Sequence, residues 1–376
     1  MNLIFCLYDY FPFGGLQRDF LRIVNTALER GHGVQILAKD WQGEKPTGLN
    51  VQLLSHSALS NHRRCDKFNQ ALAGFLQNSS VDAVVGFNKM PGLDVYYAAD
   101  SCYQARMRNT RGSIYRMMGR YRTYAGFEKA VFSPQSQTEI LLLSPQEKQK
   151  FIDCYATPEE RFHLLPPGIE QDRFRPANAP AIKAETRQEL GVSEDQIMLL
   201  MVGSAFQTKG VDRAIRALSN LPEGLRERVR MFIVGKGKIK SFSAFANKLN
   251  LAEQVVFPGG RDDVPKFLLA ADLLLHPART ENTGTALIEA MAAGLPSLVT
   301  ENCGYAFHVK DAAAGVVVPV PFQQEALDKA LYELLSNSDL HALAENGVQY
   351  ASRSDMTGLH DKAVDIIEEV ARRKLR

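Results

Sequence analysis

At 376 residues with 45% hydrophobic content, the chain is long enough to bury two cores, and typical domain sizes divide it in two. Its 44 basic and 42 acidic side chains nearly cancel, which excludes a whole-surface electrostatic nucleic-acid binder and leaves any basic surface local. Cys6, Cys65, Cys102, Cys154 and Cys303 are odd in number, scattered and never in a C-x-x-C pair, so neither a disulfide framework nor a zinc site is expected and the cell interior is the natural compartment.

Residues 1–8 are apolar but lack a basic flank and reach Asp9 too soon for a signal peptide or membrane span, so they are expected to form a buried first strand. Starting with it, Leu3–Leu7, Val34–Ala38, Val51–Leu54, Ala83–Phe87, Glu139–Leu143 and His163–Leu165 recur as short apolar runs with helical stretches between them. This is the βαβ rhythm of a parallel sheet covered on both faces. The first helix follows the turn Pro12-Phe13-Gly14-Gly15, carries Leu16, Phe20, Ile23, Val24, Ala27 and Leu28 on one stripe, and ends at Gly31. Ser144-Pro145-Gln146-Glu147 and Thr157-Pro158-Glu159-Glu160 each offer a hydroxyl N-cap, proline at the first helical position and glutamate at the third.

Between Tyr103 and Val131 the chain carries Arg106, Arg108, Arg111, Arg116, Arg120, Arg122 and Lys129 against the lone acid Glu128, interleaved with Tyr115, Met117, Met118, Tyr121, Tyr124 and Phe127. Such a stretch suits an amphipathic helix on an anionic bilayer, with Arg372-Arg373-Lys374 adding charge; an acceptor-binding loop and a plain surface helix are the alternatives.

A second strand series then begins: Met198–Val202, Arg230–Val234, Val255–Phe257, Leu273–His276, Ser297–Thr300 and Val316–Val318. Pro166-Pro167-Gly168, Pro176 and Pro180 mark the linker before it. The expected organisation is residues 1–170, residues 171–354, and a final amphipathic helix over 355–376 that packs back toward the first domain. Two doubly wound parallel sheets hold ligands at the carboxyl ends of their strands.

The densest chemical signal is the run from Arg279 to Pro296, R-T-E-N-T-G-T-A-L-I-E-A-M-A-A-G-L-P. After the strand Leu273–His276 the chain turns through Gly284, and Thr285 and Ala286 open a helix whose free N–H groups and dipole suit a diphosphate. Glu289, one turn in, can accept both hydroxyls of a ribose, and Glu281 on the preceding loop can accept sugar hydroxyls. Taken singly, each feature has an ordinary structural use, as a charge at a helix start or a stop signal.

The pair Glu281/Glu289 within G-x-x-x-x-E-A-M-A-x-G-x-P resembles the donor-binding signature of glycosyltransferase family 4, which has the GT-B fold. Leu165–Pro176 (L-P-P-G-I-E-Q-D-R-F-R-P), Val202–Gly210 (V-G-S-x-x-x-x-K-G) and Phe257–Arg261 (F-P-G-G-R) fall in the order the family implies. F-C-L-Y-D-Y-F-P-F-G-G-L-Q-R-D-F near the start and Gly86–Asp100 (G-F-N-K-M-P-G-L-D-V-Y-Y-A-A-D) resemble its lipopolysaccharide-core branch. The resemblance covers essentially the whole chain and implies a retaining transfer of a hexose from a UDP-sugar to the second heptose of the lipopolysaccharide inner core, by an enzyme held peripherally at the inner face of the inner membrane.

Departure of a nucleoside diphosphate develops negative charge that fixed cations and dipoles must stabilise. Lys209, before Gly210 at a strand-to-helix loop, is the leading candidate, and Arg173 and Arg261 are further candidates for diphosphate or nucleotide contacts; a solvated lysine and surface ion pairs are the alternatives. Many family members carry arginine where this chain has Ser204, a gap that Arg173 or Arg261 would fill. Gly14 and Gly15 would complete the phosphate cradle, because glycine permits close approach at a helix start. No Asp-x-Asp triplet occurs, so neither metal nor cofactor is expected. Asp19 or Asp100 could orient or deprotonate the attacking hydroxyl, or serve as a helix-face or cap carboxylate. By the same resemblance, members from enteric bacteria carry a bulkier aliphatic residue after this glycine, so the smaller Thr285 leaves space and the donor pocket could admit an N-acetylgalactosamine or galactose type of sugar as well as glucose. A GT-B epimerase and a non-catalytic UDP-sugar-binding protein are the rival functions; a Rossmann dehydrogenase is disfavoured because no G-x-G-x-x-G follows the first strand.

Overall fold

A computed structural model describes the chain apart from residues 13, 47, 55, 56 and 376 and the side chains of 109, 110 and 113. Phe13 of the predicted first turn therefore lies outside the described residues. The chain separates into two units, Met1–Gly168 together with Gly358–Arg376, and Ile169–Thr357.

In the first unit β1 (Asn2–Tyr10), β2 (Gly33–Trp41), β3 (Asn50–Leu53), β4 (Ala83–Gly86), β5 (Val95–Ala98), β6 (Glu139–Leu142) and β7 (Phe162–Leu164) form one parallel sheet in the order 3-2-1-4-5-6-7. Alternate residues of β1 feed opposite faces. Leu3, Phe5 and Leu7 pack with Phe20, Val24, Val364 and Ile367 on one side. Ile4, Cys6 and Tyr8 pack with Phe68, Leu72, Val131 and Phe151 on the other. The final helix, Leu359–Lys374, thus belongs to the first unit's core although it closes the chain. It starts later than its apolar period suggests because the Asp355 carboxylate accepts from the Thr357 amide and holds a turn there.

In the second unit β8 (Ile197–Val202), β9 (Val229–Val234), β10 (Val255–Gly259), β11 (Leu273–His276), β12 (Ser297–Thr300) and β13 (Gly315–Val318) form a parallel sheet in the order 10-9-8-11-12-13. Met198, Leu200 and Leu274 face Phe267, Leu287 and Met291, while Leu199, Met201 and Leu273 face Ile215, Leu218 and Leu331. In each sheet the direction of winding reverses once, between β1 and β4 and between β8 and β11, and a doubly wound sheet binds ligands outside the carboxyl ends of its strands at that reversal.

Both expected capping boxes are absent. Ser144 precedes the helix Pro145–Tyr155, but its hydroxyl makes no cap, and Glu147 turns its carboxylate to the Cys102 amide at 2.8 Å. After Thr157 there is only the 3₁₀ turn Glu159–Arg161; the Thr157 hydroxyl donates to the Phe132 carbonyl, and the Arg161 guanidinium donates to the carbonyls of Thr138, Ser133 and Val131. Long-range demands on these side chains outcompete the local cap.

The basic segment 103–131 is also not one amphipathic helix. It breaks into helices Tyr103–Thr110 and Gly119–Phe132 around the 3₁₀ turn Ser113–Met117. Glu128 leaves the surface entirely and is fully buried. Its carboxylate accepts from Lys89 Nζ (2.5 Å), the Tyr155 hydroxyl (2.6 Å) and the amides of Tyr103 (2.7 Å) and Gln104 (2.9 Å), the last two being orphan donors of the helix start. Burial opposes the charge on Glu128, but Lys89 and these donors outweigh it and hold the carboxyl below its ordinary range.

Candidate active site

In the second unit the elements around the β8/β11 reversal bring four polar side chains together. The chain leaves β8 through Gly203, at φ +133°, where a Cβ would stand 2.9 Å from Lys209 Cε. The missing side chain lets the lysine stem cross the strand end. The short helix Phe206–Lys209 then stops at Gly210, at φ +73°, where a Cβ would come within 2.0 Å of the Pro277 carbonyl oxygen. Only glycine satisfies both the left-handed backbone and this close approach, and the approach sets Lys209 beside the loop that leaves β11.

That loop is pinned from several directions. Arg279 donates its amide to the Thr208 carbonyl at 2.8 Å and grips Asp212 with two 2.8 Å bonds. The Glu281 amide donates to the Asn302 carbonyl, its carbonyl accepts from Gly304, and Thr283 accepts from the Tyr305 amide. The Glu281 side chain is consequently held in one place: Lys209 Nζ donates to Oε1, and His276 Nε2 lies 2.5 Å from Oε2. Burial alone would raise the Glu281 pKa, but His276 and Lys209 reverse the effect and lower it to about 2, so the group is a carboxylate at neutral pH.

Three residues beyond Glu281, Gly284 adopts φ +91° and opens the helix Thr285–Ala293. Thr285 and Ala286 are its first two residues, so their N–H groups have no carbonyl of the same helix to bond. Glu289 lies one turn further, and Arg173 Nε approaches its Oε1 at 3.4 Å from the 3₁₀ turn Gln171–Arg173. The structure thus gathers Lys209, Glu281, Gly284, Thr285, Ala286, Glu289 and Arg173 in this unit. Arg261 is otherwise engaged: its guanidinium grips Asp263 through bonds of 2.8 and 2.7 Å. Ser204 accepts from the Lys236 amide and supplies no cation in place of the family's arginine.

His276 and Cys303 join the group without having been singled out by sequence motifs. The usable signal for His276 is a polar ring ending the otherwise apolar strand Leu273–His276. One ligand atom each from His276, Glu281 and Cys303 lie within 4.8 Å of one another, close enough to share an ion. Lys209 already places a positive charge on the same carboxylate, and burial and the Glu281 charge push the Cys303 thiol well above its ordinary pKa, so the donor set is poorly prepared for a cation.

In the first unit Gly14 and Gly15 sit at the cap and first position of the helix Gly15–Glu29. A Cβ on Gly14 would collide with the Gln17 side chain, which donates to the Asp9 carbonyl at 2.9 Å, whereas Gly15 has open space. Near the β1/β4 reversal lies a cavity of about 750 Å³ lined by Tyr8, Asp9, Asn88, Lys89, Asp100 and residues of the basic segment. Asp100 faces it. Asp19 is not among its lining residues; its carboxylate accepts from the Tyr97 hydroxyl at 2.8 Å and stands 3.8 Å from His360 Nε2 of the final helix. Asp9, at the strand end, was not flagged by any motif, yet it lines the cavity and pairs at 2.6 Å with Lys39, whose side chain is almost wholly buried.

The aromatic residues of the basic segment turn inward. Tyr103, Tyr115, Tyr124 and Phe127 line the cavity, with Arg106, Arg111 and Arg120 stacked over tyrosine rings at 5.6–5.9 Å. What faces outward is Ile114 (79% exposed) and Met117 (69%) among exposed arginines, with Met118 (55%) at the cavity's rim. The tail cations are half-exposed and each has a partner within the unit: Arg372 pairs with Glu368, Arg373 with Glu139 and Lys374 with Asp94. No helix among the described residues is long and apolar enough to cross a membrane.

Paired doubly wound sheets with this cation, carboxylate and helix start at the second reversal define a glycosyltransferase of the GT-B fold. Residues 182–351 match the family model for glycosyl transferases group 1. The chain is 45% identical over 368 residues to the lipopolysaccharide glucosyltransferase WaaG of Escherichia coli K12, covering 98% of each, and superposes on a crystal structure of WaaG with a TM-score of 0.88 over 97% of this chain and 99% of that one. It belongs to the WaaG family of glycosyltransferases. A crystal structure of Anabaena HepE, 16% identical with a TM-score of 0.75 over 98% of this chain and all of that one, shares the fold.

Proposed function

We propose that the chain transfers a hexose from a UDP-sugar, glucose or a galactose or N-acetylgalactosamine type, to the second heptose of the lipopolysaccharide inner core, with retention of anomeric configuration. The observation that carries this reading is the Lys209–Glu281–His276 group beside the start of the helix Thr285–Ala293 at the β8/β11 reversal. The relative's name, lipopolysaccharide glucosyltransferase, supplies the acceptor class.

In this reading the bond between the sugar's anomeric carbon and the β-phosphate oxygen breaks, the electron pair leaves with UDP, and the acceptor oxygen takes its place as its proton passes to the departing phosphate oxygen. Lys209 and the N–H groups of Thr285 and Ala286 meet the developing negative charge. Glu281 accepts sugar hydroxyls, Glu289 the ribose diol, and Arg173 sets the position of Glu289. Gly15 has open space for phosphate at the first unit's helix start while Gly14 makes room for Gln17, Asp100 in its cavity orients the acceptor hydroxyl, and Arg261 can reach a ligand only by releasing Asp263. Lys209 does the work a metal would do, so EDTA should leave transfer unchanged. The exposed Ile114, Met117 and Met118 with Arg108, Arg116 and Arg122 support attachment to an anionic bilayer, at the cytoplasmic face where nucleotide sugars are present.

Mass spectrometry of truncated lipopolysaccharide incubated with a panel of UDP-sugars tests donor, acceptor and transfer together. A hexose mass added to an acceptor ending at the second heptose is expected. Release of only an epimerised or intact UDP-sugar would overturn transfer.

A further inference from the structure

His276 ends a strand that is otherwise leucine, and its side chain is essentially buried. Burying an imidazole costs free energy unless its nitrogens are bonded, yet only one is: Nε2 meets Glu281 Oε2 at 2.5 Å, while Nδ1 is buried with no partner among the described residues. The ring therefore has a single polar task. Glu281 offers four lone-pair positions, of which Lys209 and His276 take one on each oxygen, and the Cys303 thiol stands 4.0 Å from Oε2. The carboxylate stays partly open, with 15% of its side chain exposed.

We propose that His276 is a positioning residue for the donor sugar: as a neutral Nε2–H tautomer it locks the Glu281 carboxylate in one rotamer, as a fixed acceptor for sugar hydroxyls and not a proton shuttle. The tautomer follows from the surroundings. A doubly protonated ring would leave an N–H without an acceptor in the interior and put a second positive charge next to Lys209. With Nε2 donating, Nδ1 keeps only a lone pair, the less costly group to strand. The titratable groups facing Glu281 are Lys209, the His276 imidazole and the Cys303 thiol, so loss of the imidazole removes one of two close hydrogen-bond donors and leaves Lys209 to hold the carboxylate ionised.

The inference rests on the second unit's polar group being the donor site, and the test separates the two. UDP affinity by calorimetry, steady-state transfer and melting temperature are measured for wild type, His276→Leu and His276→Gln, the glutamine amide providing a donor near the Nε2 position. His276→Leu should lower kcat at least 50-fold, leave UDP affinity within about threefold, and move the acidic limb of kcat/KM upward by a pH unit or more; His276→Gln should recover at least tenfold of the lost kcat. Unchanged kcat and acidic limb in His276→Leu overturn the proposal, as does a parallel fall in kcat, UDP affinity and melting temperature that glutamine does not relieve. Absence of UDP binding by wild type would instead sink the donor-site reading and this inference with it. Should the leucine variant fail to fold, ¹⁵N NMR of the wild-type imidazoles decides: an unprotonated Nδ1 with a protonated Nε2 supports the assignment, and a protonated Nδ1 rules it out.

Discussion

Lys209 and Glu281 are separated by 72 positions in the chain, and what joins them is two glycines and one proline carbonyl. Replacing Lys209 by methionine keeps the stem that crosses Gly203 and removes the charge. Its kcat should fall by roughly 10²–10³, the usual cost of losing one fixed donor to a developing anion; a UDP-release assay measures it. Thr285 tests donor choice at the same scale. If its small side chain leaves space for an N-acetyl group, Thr285→Ile should raise the ratio of UDP-glucose to UDP-N-acetylgalactosamine turnover by about tenfold or more, since a pocket filled by extra methylene groups typically discriminates 10–200-fold. An unchanged ratio would end that idea. Residue identities such as Glu281, Glu289 and Lys209 were readable from the sequence because they stand in a fixed motif. His276, Cys303 and Asp9 were not, because nothing local marks a buried histidine or a strand-end aspartate until the partner is known.

Elements are held here by carboxylates that sequence rules assign elsewhere. Glu128 looks like a counter-charge on a basic helix, yet it caps the start of the helix Tyr103–Thr110 and neutralises Lys89 beneath it. Glu128→Gln should strand the buried ammonium and cost about 3–5 kcal/mol in urea denaturation, far beyond the effect of a surface charge change. In the second unit the helix Ala306–Asp311 carries His308, which is 2.9 Å from the Tyr350 hydroxyl. Burial lowers its pKa to about 4, outweighing the attraction of Asp311. The folded state therefore stays neutral where the unfolded chain takes up a proton, and stability is lost as pH falls from about 6.5 toward 4. Melting temperatures measured across that window should fall less steeply for His308→Phe than for wild type.

At the scale of the molecule, the chain returns its last helix to the first unit, so that Val364, Ile367 and Ala371 complete a core begun by Leu3 and Phe5. The same return pairs Arg373 with Glu139 and Lys374 with Asp94. If the proposed membrane attachment runs through the exposed Ile114, Met117 and Met118, it should depend on that segment more than on the tail. Flotation with anionic vesicles should be weakened strongly by Ile114→Ser/Met117→Ser/Met118→Ser combined with Arg116→Gln and Arg122→Gln, and hardly at all by Arg372→Gln. Binding should also fall with added salt, as surface charge attraction is screened beyond about 10 Å at 0.1 M.

By itself the sequence determined the two series of parallel strands, the place where one domain gives way to the next, and the motif that brings carboxylates to a helix start. These depend on apolar period, glycine and proline, which act within a few residues of where they stand. Tertiary structure alone decided which polar side chains meet: that Glu128 is buried, that the tyrosines of the basic segment line a cavity, that Asp19 is held by Tyr97, and that a histidine and a lysine share one carboxylate. Those outcomes follow from the low tolerance of a folded interior for an unpaired polar group, which selects partners by position in space and not by distance along the chain.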